Sequence, residues 1–69
     1  MAIPAIEQHY IENRQKLVKR MTFRAGEQWS AEDIVQEAYT RALMYWRSFD
    51  GSNLDRWLNT ILNNTLREY

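Results

Sequence analysis

From Ser30 onward, apolar residues return at the spacing of a single helix face: Ile34, Val35, Ala38, Tyr39, Ala42, Leu43 and Trp46. That run predicts a helix over about 31–47. Ser30 is a good N-cap, and Asp33 follows three residues on, as in a capping box with Asp in place of Glu or Gln. Glu32 and Asp33 put negative charge on the first turn, where the helix dipole favours it. The opposite face carries Asp33, Gln36, Glu37, Thr40 and Arg41. Asp33, Gln36 and Glu37 stand at i, i+3 and i+4, so their side chains share one surface patch. Physical chemistry alone makes that patch the solvated side of an amphipathic helix.

Two more segments have the same period. Ile6, Tyr10, Leu17, Val18 and Met21, joined by Ile3, predict a first helix over about 5–24 after a loose start at Met1 to Ala5. Pro4 suits a first helical turn, and Gly26 is a stop signal. Acids lead and bases trail along this helix, which complements its dipole. Leu54, Trp57, Leu58, Ile61, Leu62 and Thr65 form the apolar stripe of a third helix over about 53–68. Ser52, with Asp55 three residues later, is its expected cap. Asp50-Gly51 between the second and third helices is a turn in a helix–helix loop, because no alternating strand pattern flanks it. Phe49 in that loop is expected in the core. Trp29, just before the second N-cap, is placed to staple onto Ile34. The fold class is all-α: a small helical bundle of three main helices forming one domain, 1–69.

Such a small core is marginal, and disulfides or metals are the usual staples. This chain of 69 residues has no cysteine and one histidine. A disulfide framework and a thiolate site are excluded, and zinc is disfavoured. No metal or cofactor site is expected. Nor is a catalytic one, since no nucleophile–base pair or phosphate-cradling glycine loop can be assigned. His9 lies on a polar helical flank and is expected at the surface. No apolar run approaches membrane-spanning length and no signal pattern opens the chain, so a cytoplasmic location without membrane contact is expected.

Nine basic and nine acidic residues give zero formal charge, which argues against strong autonomous binding to nucleic acid. Two stretches nevertheless invite that chemistry. Arg14, Lys16, Lys19, Arg20 and Arg24 form either a solvated face or a contact for a nucleic-acid backbone or an acidic partner. Arg56, Asn59, Asn63 and Arg67 fall at i, i+3, i+7 and i+11, with Asn64 beside them. Asn and Arg are well shaped to bond base edges and phosphates, although the same row also serves as a polar solvent face.

Ala31-Glu32-Asp33-Ile34-Val35-Gln36-Glu37-Ala38-Tyr39 resembles the most recognisable segment of bacterial sigma factors, within their conserved region 2, and is most similar to the extracytoplasmic-function type. Trp57-Leu58 followed by Ile61 and Asn64 resembles the family's Trp-Leu-x-x-Ile-x-x-Asn pattern, in the right order and after a loop of suitable length. The resemblance covers about residues 5–69. It implies a helical bundle that docks on the clamp coiled coil of the large RNA polymerase subunit and contacts the minus-ten promoter element on the non-template strand. Carried over by position, Asp33, Gln36 and Glu37 contact polymerase, with Tyr39, Thr40 and Leu43 at the edge. The loop Ser48 to Asn53 helps capture an unstacked base. Arg47, Ser52, Asn53, Arg56, Asn59, Asn63, Asn64 and Arg67 are the implied DNA-contacting residues. Tyr45, Trp46 and Phe49 are placed to stack on unpaired bases. Trp57 lies on the apolar stripe and is expected in the core.

The family's promoter-reading helix continues past the position of Tyr69, and its separate helix-turn-helix domain has no counterpart in this sequence. A piece of a longer factor, or a one-domain relative of phage type, is therefore expected. The alternative function is a sigma mimic that binds polymerase or an anti-sigma factor without reading DNA. Eight Trp, Tyr or Phe residues precede Tyr69, which leaves room for a weak homodimer that covers surplus aromatics.

Overall fold

The computed structural model describes residues 3–22 and 30–68. The fold is all-α, with α1 over Ile3–Thr22, α2 over Ala31–Met44, a short 3-10 turn over Trp46–Ser48 and α3 over Leu54–Glu68. Helix α1 begins two residues earlier than its expected start, because Ile3 is half-buried and Pro4 fits the first turn. The expected end at residue 24, the Gly26 stop signal and the Trp29 staple lie outside the described residues.

Ser30 caps α2 as expected. Its backbone is extended (φ −74°, ψ 145°) and its hydroxyl accepts the Asp33 N–H at 3.0 Å. The helix stops at Met44, short of the expected 47. Tyr45 leaves the helical conformation at φ −113° and ψ 25°, while its N–H still reaches the Arg41 carbonyl at 2.9 Å. Both the N–H and the hydroxyl of Ser48 then bond the Tyr45 carbonyl, at 2.9 and 2.8 Å, which tightens the chain into the 3-10 turn.

The cap of α3 is Asn53, not Ser52. The Asp50 carboxylate accepts the Ser52 N–H at 2.9 Å and its hydroxyl at 2.6 Å, so Ser52 is taken up by the turn that Gly51 makes at φ 87°. Asn53 Oδ1 accepts the Arg56 N–H at 3.0 Å instead.

Helix α2 lies between the other two. Its Ile34, Val35, Ala38, Tyr39 and Ala42 are buried against Ile6, Leu17 and Met21 of α1 and Leu58 and Leu62 of α3. Thr65 is buried too, with its hydroxyl bonded to the Ile61 carbonyl at 2.8 Å. Trp57 and Leu54 are half-buried against this core, and Phe49 is half-buried with its ring 5.2 Å from that of Trp57. Leu43 is not inside the stripe but on its rim, 37% exposed.

Candidate functional site

Because α2 buries two flanks, a narrow strip faces outward. Asp33, Gln36 and Thr40 are exposed on it, with Leu43 at one edge. Thr40 donates its hydroxyl to the Gln36 carbonyl at 2.8 Å, a bond along the helix that leaves the Gln36 amide to the surface. On the α1 side the strip borders an open apolar cleft lined by Ile6, Tyr10, Ile11, Tyr39 and Leu43. On the α3 side stands Glu37, half-buried and paired with Arg41 at 3.2 Å. Arg41 does not belong to the exposed face: it is half-buried and also pairs with Glu68 of α3. The Arg41 hydrogen bond holds the Glu68 carboxyl below the usual carboxylate range. The polar strip is therefore graded, with Gln36 and Asp33 open to a partner and Glu37 tied into the α2–α3 junction.

The expected nucleic-acid residues lie on α3 and the turn before it. Arg56, Asn63, Asn64 and Arg67 are exposed, and the Arg67 guanidinium donates to Asn64 Oδ1 at 2.6 Å. Asn59 is half-buried and turned toward α1, where its Oδ1 accepts the Arg20 guanidinium at 2.8 Å. Ser52 and the Asn53 oxygen are engaged in the turn and the cap. Arg47 lies over the Trp46 ring at 5.4 Å, a cation–π contact that holds its charge beside the loop. Tyr45, 57% exposed, is the exposed aromatic among the described residues.

His9 corrects the sequence-based expectation. It is not a surface histidine: its side chain is 14% exposed and joins all three helices. Nδ1 lies 2.7 Å from the Tyr39 hydroxyl and Nε2 lies 2.6 Å from Asp55 Oδ1. An ionised Asp55 can only accept, so Nε2 carries a proton; in that tautomer Nδ1 accepts from Tyr39. Burial pushes the Tyr39 hydroxyl up to about 12, helped by the Asp55 charge. The His9 hydrogen bond draws Asp55 below its ordinary range. The sequence did hold one signal: His9 follows Ile6 by three residues, which sets it at the margin of the apolar stripe of α1.

Comparison with protein families gives a match to the sigma-70 region 2 model over residues 9–69. The chain belongs to the sigma-70 region 2 family. Comparisons with curated proteins and with solved structures gave no match. The matched span holds all of α2 and α3 and most of α1, so both motif helices of this region 2 domain lie within it. Membership gives the chain a sigma-factor-like role in transcription initiation, in a family of initiation factors rather than enzymes. No helix among the described residues is long and apolar enough to cross a membrane.

Proposed function

We propose that this region 2 domain docks on the clamp coiled coil of the largest RNA polymerase subunit through the outer strip of α2. In this reading Asp33 and Gln36 make the central contacts, and Glu37, Thr40 and Leu43 flank them. The loop Ser48 to Asn53 and the α3 face then meet the non-template strand of the minus-ten element in the cytoplasm. Arg47, Arg56, Asn59, Asn63, Asn64 and Arg67 supply its polar contacts, with Ser52 and Asn53 at the turn. The observation that carries the reading is the sorting of the family-like run on α2. Ile34, Val35, Ala38 and Tyr39 are buried, whereas Asp33, Gln36 and Thr40 are exposed together on the other side.

The test is retention of the chain on an isolated clamp coiled-coil fragment. Gln36→Ala should weaken retention, and Gln15→Ala, on the exposed outer face of α1, should not. Equal retention of both variants would remove the α2 strip from the interface. A sigma mimic that binds polymerase or an anti-sigma factor without reading DNA is the second reading. It is favoured by zero net charge and by the internal engagement of Ser52, Asn53, Asn59 and Arg67. Cross-linking of the α3 face to non-template promoter DNA in the presence of polymerase decides between them.

A further inference from the structure

Ile11 is 72% exposed, the most exposed large apolar side chain among the described residues. It lines an open cleft of about 440 Å³ between α1 and α2, together with Tyr10, Tyr39 and Leu43. Leu43 is itself exposed, and Met44 and Tyr45, the other exposed large hydrophobic side chains of the described residues, follow it directly in the chain. A core this small leaves such apolar surface in water at a cost that a second molecule removes.

We propose that the cleft is occupied by a second copy of this chain, through a two-fold pairing of α1 about Ile11, and that the resulting dimer covers the outer strip of α2. Ile3, Glu7, Ile11, Arg14 and Val18 share one face of α1. Counted from Ile11, Ile3 and Glu7 stand eight and four positions before it, and Arg14 and Val18 three and seven after. Two such helices laid antiparallel about Ile11 set Glu7 of each copy beside Arg14 of the other, and Ile3 beside Val18. The row therefore matches itself in sign and in polarity, as an isologous interface requires. Glu7 is exposed and makes no ion pair among the described residues. Arg14 pairs with Glu32, but a guanidinium carries five N–H donors and can hold a second carboxylate.

The same row lies along the α2 flank. Glu7 and Ile11 line the cleft with Gln36, Thr40 and Leu43, and Arg14 and Val18 adjoin Glu32 farther along. A copy seated on Ile11 thus lies over Gln36 and Thr40. A foreign amphipathic helix would fit the apolar floor, but it has no reason to answer Glu7 and Arg14 in this order. The consequence for function rests on reading the α2 strip as the polymerase-docking surface: self-association and docking then exclude one another.

Sedimentation of the whole chain up to millimolar concentration tests the dimer without polymerase. Ile11→Glu puts two carboxylates on the two-fold axis and should weaken association by about tenfold or more, with an unchanged circular dichroism spectrum. Glu7→Arg and Arg14→Glu should each weaken it as well. An equimolar mixture of those two variants restores both opposite-charge pairs, so it should associate more tightly than either variant alone. A chain that stays monomeric, a dimer indifferent to Ile11→Glu, or a mixture no tighter than its parts overturns the proposal, and none of these bears on docking. On the coiled-coil fragment, the retained fraction of the parent chain should fall as its concentration rises into the dimer range, and that of Ile11→Glu should not. Retention of the intact dimer overturns the exclusion. Loss of retention for the parent chain and Ile11→Glu alike, at every concentration, overturns the docking reading and the exclusion with it, while the dimer stands on its sedimentation.

Discussion

His9 is the residue on which the three helices agree. It satisfies a Tyr39 hydroxyl that lies at the edge of the core, 6% exposed as a residue, and it hands the other ring nitrogen to Asp55. Truncating it leaves a buried donor without a partner, a loss of about 1–3 kcal/mol. His9→Ala should therefore lower stability by that amount in urea unfolding followed by tryptophan fluorescence. His9→Phe, which returns the volume without the hydrogen bonds, should recover little; full recovery would mean that packing alone matters there. The same contact sets an acid dependence. Asp55 and Glu68 are held below their ordinary values in the folded state, by His9 and Arg41 respectively. Their contribution is present above the carboxylate range of the unfolded chain and is lost as pH falls through the lowered folded values. Both side chains are exposed, so the effect is small, and Asp55→Asn should flatten the fall in unfolding midpoint on acidification. Stability that rises on acidification would contradict it. The apolar stripe around His9 was legible in the sequence from its period alone. The role of His9 was not, because its partners lie 30 and 46 residues away and helical spacing says nothing about what a flank will meet.

At the scale of elements, the caps separate what is local from what is not. Ser30 with Asp33 reads correctly because the bond joins residues three apart and no other described residue takes the hydroxyl. Ser52 with Asp55 has the same form and fails, because the Asp50 carboxylate takes the Ser52 hydroxyl first. Asn53 then closes α3. Asn53→Ala should cost about 1 kcal/mol in chemical denaturation, the usual effect of removing a helix cap. Ser52→Ala should cost less, since it removes one of the two Asp50 bonds and leaves the cap in place. The reverse order of the two variants would restore Ser52 as the cap. The early end of α2 has a similar cause. Ser48 turns its hydroxyl back to the Tyr45 carbonyl and draws the aromatic end of the segment into a 3-10 turn, where a purely apolar period had suggested three more helical residues. For the site this matters directly, since Arg47 and Trp46 are held by that turn rather than by the helix that carries the outer strip of Asp33, Gln36 and Thr40.

For the whole molecule, the three main helices of the described residues, most of their apolar stripes and the two family motifs were legible in the sequence, whereas the places of His9, Arg41 and Leu43 were not. The distribution of charge was not. A formal sum of zero hides Arg14 paired with Glu32, and Arg41 paired with Glu37 and Glu68, on the flanks of α2. That distribution raises the question of what holds three short helices together: the shared core or the ion pairs at their edges. Leu62, 2% exposed, is a core contact of α3 beside α2. The edge contacts, Arg14 with Glu32 and Arg41 with Glu68, have exposed carboxylates, and such pairs stabilise folds weakly and are screened by salt. Leu62→Ala removes buried methyl groups and leaves a cavity, which costs about 2–5 kcal/mol. Raising salt from low to high concentration should lower the unfolding free energy by much less than that substitution does. If salt instead proves the larger effect, the edges dominate, and any partner that competes for Glu32 or Glu68 would loosen the bundle as it bound. If the core dominates, the carboxylates on the flanks of α2 can exchange their internal partners for those of a docking surface while the three helices stay packed.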